Sequence, residues 1–144
     1  MAAPADRVWA RVVTPEGIDD EMRPWMTMTM PRPVAGLTVD AVPLGVPLGR
    51  AWLRLGGVVP VDYDRLVIVE VEQGRRFLER STMLSARSWE HERTVEPHGE
   101  HASLVRDRVV LEPRLLLRPL GPVLRRVVAA FFAHRHRRLA AHVR

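Results

Sequence analysis

Five apolar-rich stretches follow one another with almost no chain between them: Leu48 to Leu55, Tyr63 to Glu72, Phe77 to Ala86, Ser88 to Glu96 and Ser103 to Glu112. The separators include Gly56-Gly57, Gln73-Gly74, Arg87 and His98-Gly99. Most are too short for the crossover that a parallel pair needs, so the strands are expected to form an antiparallel meander. After Pro113 and a linker, Leu120, Leu124, Val127, Val128, Phe131 and Leu139 recur at helical spacing. They predict one long helix from about Pro119 to the C-terminus, with Pro119 or Pro122 in its first turn.

The segment before the meander reads differently. Val8, Trp9, Val12 and Val13 follow Pro4 with a period of three to four, and Thr14-Pro15 has the form of an N-cap and first turn for a second short helix that Gly17 weakens. Met26-Thr27-Met28-Thr29-Met30 alternates, which puts three methionines on one face of a strand. Four prolines and two glycines between Pro31 and Pro47 mark a turn region with one weak strand around Leu37 to Val42. The sum is an α+β fold, a single layer of helix on an antiparallel sheet.

With 144 residues the chain is expected to be one domain, residues 1–144, able to bury about 70% of its extended surface. Its 47% hydrophobic and 27% charged residues are those of a folding chain. The absence of cysteine excludes disulfides, thiolate metal sites and cysteine nucleophiles. No signal peptide or membrane span is legible, and a cytoplasmic location is expected. All 22 basic side chains are arginine and the net charge is +5. Yet arginines alternate with acids through most of the chain, and only His134-Arg135-His136-Arg137-Arg138 forms a basic block.

Strand parity locates the polar residues that matter. In Trp89-Glu90-His91-Glu92-Arg93-Thr94-Val95 the odd positions carry the apolar ends, so Trp89, His91 and Arg93 are expected to face inward and Glu90 and Glu92 outward. The same alternation turns Asp107 inward between Val105 and Val109, and turns Glu79, Ser81 and Met83 inward with Phe77. Glu79, His91, Arg93 and Asp107 thus share one concave face. A solid apolar core accommodates such groups only if they are paired or hydrated.

The ordered set Ala3-Pro4-Ala5-Asp6-Arg7-Val8-Trp9, Gln73-Gly74-Arg75-Arg76-Phe77, Trp89 to Glu96, Arg106-Asp107-Arg108-Val109 and Phe132 to Leu139 resembles the START-like, or SRPBCC, helix-grip superfamily. That superfamily includes polyketide cyclases, steroidogenic lipid-transfer domains and the major pollen allergens. The resemblance implies an antiparallel sheet wrapped around a long C-terminal helix, two short helices closing one end, and a deep cavity for a hydrophobic ligand. It also implies a departure, because members begin with a strand before the first helix and here only Met1 to Ala3 precede it. Either the native start lies upstream of Met1 or the sheet lacks its first strand, and in the chain as given the usual partner of that strand, residues 103–112, is expected to be left as an edge. That edge is expected to pair with a second copy in a homodimer or to leave the chain less stable than one with an upstream strand.

Two readings stand for each candidate group. Glu79, His91, Arg93 and Asp107 form either a cavity floor that orients a ligand, with His91 as acid or base, or a structural Arg93–Asp107 pair with His91 beside it. Met26, Met28 and Met30, with Phe77, Met83, Trp89 and Phe131, form either an adaptable ligand wall or plain core. The basic terminus is either an anion-binding patch or a solvated helix end; no specific nucleic-acid partner is expected. His134 and His136 diverge on a helix and His98 and His101 lack a third ligand, so no metal is expected. No cofactor motif and no Gly-x-Ser-x-Gly elbow occur. Binding of a lipid, polyketide or isoprenoid-like molecule and cyclase or dehydratase chemistry both remain open.

Overall fold

The structure, a computed structural model, describes all of residues 1–144. Two short helices come first, α1 (Ala5–Val12) and α2 (Pro15–Met22). Thr14 caps α2: its hydroxyl accepts the Gly17 N–H at 3.0 Å, and Pro15 occupies the first turn, where its missing N–H is not needed. Gly17 is required by packing, because a Cβ there would overlap the Arg11 carbonyl oxygen. Val8, Trp9 and Val12 give α1 its buried face.

Seven strands follow: β1 (Met26–Met28), β2 (Arg50–Leu55), β3 (Val59–Arg65), β4 (Ile68–Glu72), β5 (Arg76–Met83), β6 (Ala86–Pro97) and β7 (Ser103–Pro113). Every pairing is antiparallel, in the spatial order β1-β2-β3-β5-β6-β7, with β4 paired to β5 off that path. Gly56 and Gly57, at φ 61° and 78°, make the left-handed turn that suits the tight β2–β3 hairpin.

Several details depart from the sequence reading. The expected strand from Tyr63 to Glu72 is two strands, broken at Leu66-Val67. There the Val67 N–H donates to Ser81 Oγ at 3.1 Å and its carbonyl accepts from the Arg80 N–H at 3.0 Å. The break lets β3 pair with the C-terminal end of β5 and β4 with its N-terminal end, which curls the sheet. The weak strand expected around Leu37 to Val42 is a 3-10 turn, Val39–Ala41, tied to α1. The Val39 N–H donates to the Val13 carbonyl at 2.8 Å and the Trp9 indole donates to Asp40 at 3.1 Å. Met30 lies beyond the end of β1, where Pro31 supplies no strand donor.

The closing helix α3 spans Gly121–His142, after a 3-10 turn at Leu115–Leu120. Its buried residues include Phe132, Arg135 and Leu139, whereas Leu120 and Val127 of the expected stripe are exposed. The physical reason is that residues 123–133 are apolar almost all round, so periodicity there could not select a face. The second half of α3 packs on the main core with α1, β4, β5 and β6, through Leu139 and the following Val143. The first half stands over a hollow. No helix is long and apolar enough to cross a membrane.

β7 pairs with β6 alone, and beyond it only Met1 is in place, exchanging backbone hydrogen bonds with Ser103 at 2.8 and 3.0 Å.

Candidate functional site

The hollow under α3 is a cavity of about 730 Å³, and 23 of its 31 lining residues are hydrophobic. That volume and that apolar character are those of small-molecule sites. Met26 and Met28 from β1, Met30 beyond it, Phe77, Glu79 and Met83 from β5, Trp89 and His91 from β6, and Phe131 from α3 all line it. Strand alternation puts the β5 and β6 side chains there. Their even-numbered neighbours turn to the other face, where Glu90 pairs with Arg80 and Glu92 with Arg76.

Arg93 and Asp107 do not line this cavity, a correction to the expected site. They lie behind its wall because stronger partners hold them. The Arg93 guanidinium, completely buried, makes a fork on Asp107, with Nε to Oδ1 and Nη2 to Oδ2 both at 2.8 Å. Its Nη1 donates to both oxygens of Glu21 at 2.8 and 2.9 Å. Arg135 donates to Glu21 at 3.0 and 3.1 Å, and the His91 and His136 Nε2 atoms donate to Asp107 at 2.7 and 2.6 Å. Two carboxylates are thus matched by two guanidiniums and two imidazoles drawn from α2, β6, β7 and α3. Burial pushes the Asp107 carboxyl up, but Arg93 and the two imidazoles more than offset this and hold it far below the usual carboxylate range. Burial likewise acts against the Glu21 carboxylate, and the charges of Arg93 and Arg135 overcome it.

At the cavity face of this network stands His91. Asp107 accepts its Nε2–H, and Nδ1 lies 3.9 Å from Glu79 Oε2. Phe77 and Phe132 pack edgewise against the ring, with centroids at 5.6 and 5.0 Å. Glu79 accepts from the Ser81 hydroxyl at 3.0 Å and from the Trp89 indole at 3.3 Å. Beside Glu79 is Asp64 of β3, equally buried and also lining the cavity. Burial first, and the Glu79 carboxyl second, push the Asp64 carboxyl well above its ordinary range.

Sequence reasoning missed Glu21, Asp64, Arg135 and His136. The signal for Arg135 was the Phe132-Arg135-Leu139 spacing, which places it on the buried stripe. For Asp64 it was the alternation Asp62-Tyr63-Asp64 at a strand end. The basic block is largely engaged: beyond Arg135 and His136, His134 bonds the Arg23 carbonyl at 2.8 Å and Arg138 pairs with Asp20 at 2.8 Å. No group of three His, Asp or Glu side chains is placed to hold a metal ion.

Comparison with known proteins agrees with this architecture. A START superfamily protein from Mycobacterium smegmatis superposes with a TM-score of 0.70 at 14% identity, over 99% of this chain and 91% of that one. Protein CV1439 from Chromobacterium violaceum gives 0.65 at 18% identity, over 99% and 91%. DynU16, from the dynemicin biosynthetic locus, gives 0.60 at 18% identity, over 99% of this chain and 44% of that one. These likenesses establish a START-like helix-grip fold. No curated protein matches the sequence. Matched over residues 1–143, the chain belongs to the family described as a domain of unknown function, DUF8410.

Proposed function

We propose that the protein binds a hydrophobic small molecule, lipid-, polyketide- or isoprenoid-like, between the sheet and α3. The observation that carries this is the cavity itself: apolar walls of about 730 Å³ with a small polar end at Asp64, Glu79 and His91. Thioethers of Met26, Met28 and Met83 adapt to varied shapes, and the polar end supplies orientation. A START superfamily protein and a protein of a biosynthetic locus share the fold, which supports the reading by analogy. Native mass spectrometry of protein purified from its own host is the test, and a co-purifying apolar molecule is expected. An empty protein that also fails to take up apolar probes overturns the reading.

One observation favours a second reading, a cyclase- or dehydratase-like enzyme. Asp107 fixes the His91 tautomer and orientation, leaving Nδ1 toward Glu79 as a base at the cavity wall. A ring closure or loss of water from an apolar substrate, abolished in His91→Ala with the fold intact, would establish it.

As a partner we propose a second copy of the chain, paired through the edge of β7. The groove between that edge and α3, lined by Val109, Leu111, Val128 and Phe132 among others, leaves the edge approachable.

A further inference from the structure

We infer that the cavity's polar end receives a basic amine, so that the ligand is an apolar molecule carrying a protonated nitrogen. The inference rests on the cavity being a ligand site and names the chemistry of that ligand. Asp64 and Glu79 are 5% and 6% exposed and both line the cavity. Asp64 Oδ1 has no hydrogen-bond partner at all. Every other buried carboxylate of this fold faces arginine: Glu21 has Arg93 and Arg135, and Asp107 has Arg93. The Asp64 and Glu79 pair has none, and its nearest basic group is His91 Nδ1 at 3.9 Å from Glu79.

Two adjacent carboxyls in an apolar hollow, without a cation, can retain only part of their charge. An ammonium seated in the cavity against both would supply the missing charge, donate to the unpartnered Oδ1 and make charge-assisted hydrogen bonds to both groups, which already lie within hydrogen-bond reach of each other. Phe77 and Trp89 line the same cavity, and an aromatic ring there attracts a cation where its face is presented; Phe132 already carries the Arg135 guanidinium over its ring. A ligand carboxylate would meet like charge, and an alcohol would satisfy Oδ1 without neutralising anything. The proton balance is that the amine enters as its ammonium, and any proton that the Asp64 and Glu79 carboxyls hold between them leaves to solvent. The other titratable groups facing the cavity are Asp62 on β3, His91 on β6, and His134, Arg135 and Arg137 on α3. Asp62 is engaged by the Ser85 hydroxyl and Arg135 by Glu21.

The experiment is calorimetric titration of the full chain with n-dodecylamine, 1-dodecanol and dodecanoate, each below its aggregation limit. The amine should bind at least about tenfold more tightly than the alcohol, with the carboxylate weakest, a difference expected of one charge-assisted contact. Repeating it in two buffers of different ionisation enthalpy should show net proton release on binding the amine and none on binding the alcohol. Asp64→Asn, isosteric with the protonated acid, and Glu79→Gln should each bring the amine down to the alcohol's affinity while the circular dichroism spectrum shows the fold retained. Equal binding of the three chain molecules, or preference for the carboxylate, would overturn the amine inference while leaving the cavity reading standing. Failure of all three to bind would overturn the cavity reading and this one with it.

Discussion

Arg93 and Asp107 stand directly opposite each other on β6 and β7, and the guanidinium of one grips both carboxylate oxygens of the other at 2.8 Å. Cross-strand pairing alone would make this a two-residue feature. Glu21, Arg135 and His136 convert it into the clasp that fastens α2 and α3 to the sheet.

Removing either central partner leaves its counterpart buried and uncompensated. Arg93→Met and Asp107→Asn are each expected to cost about 3–5 kcal/mol, read from chemical denaturation. His136→Ala, at a half-exposed position, should cost far less. A loss of under about 1 kcal/mol in Arg93→Met, typical of exposed pairs, would show that the clasp contributes no more than a surface ion pair.

The acid limb of the stability profile follows from the same network. Asp107 and Glu21 have folded-state pKa values below their unfolded ones. Their stabilisation is therefore present above about pH 4 and is lost as pH falls below that, since the unfolded chain takes up protons first. Melting temperature should drop steeply between about pH 4 and pH 2.

Asp64 has the opposite sign. Its folded-state pKa is raised, so its contribution is intact below about pH 4 and declines as pH rises through the folded value. Asp64→Asn should accordingly raise the melting temperature more at pH 8 than at pH 4. Equal effects at both pH values would mean that the carboxyl ionises freely despite its burial.

These two clusters show what was legible in the sequence. Glu79, His91, Arg93 and Asp107 lie in strands whose period of two sets the face of every residue once one is assigned, so a shared concave surface could be read from alternation. Their division into a cavity end and a buried clasp could not. It depends on Glu21 and Arg135, which reach Arg93 and its surroundings from elements 72 residues upstream and 42 downstream. Pairing across such separations is a property of packing, to which local periodicity carries no signal. Arg135 was further concealed because a run of basic residues at a helix end reads as solvated. Asp64 was concealed because the break at Leu66-Val67, which aims β3 at β5, has no turn residue to announce it.

Gly17 poses a test in which two effects compete. On helix propensity alone Gly17→Ala should stabilise by about 1 kcal/mol. The new methyl would overlap the Arg11 carbonyl oxygen, backbone that cannot swing aside as a side chain can. Forcing α1 and α2 apart is expected to cost about 1–3 kcal/mol, so a net loss is predicted. A rise in melting temperature would show that the α1–α2 contact is looser than its geometry implies.

The remaining prediction concerns the edge of β7. The Val95 N–H bonds toward β5 and Met1 bonds Ser103 from outside, so the odd residues of β7 turn their backbone groups away from β6. Val105, Asp107, Val109 and Leu111 therefore present four N–H and four C=O groups along an unpaired row. Such a row, bordered by apolar side chains, is adhesive, and Arg106 and Arg108 guard only the opposite parity. The chain is expected to form an antiparallel two-fold dimer through this edge, or else to melt higher when an upstream strand is added at its N-terminus. Val109→Pro separates the two outcomes. It deletes an N–H that faces the edge and not β6, which a free edge strand tolerates and a paired one does not. Sedimentation velocity should show a dimer for the native chain and a monomer for the variant. A native monomer whose stability is unchanged by the added strand would show that this edge needs no partner.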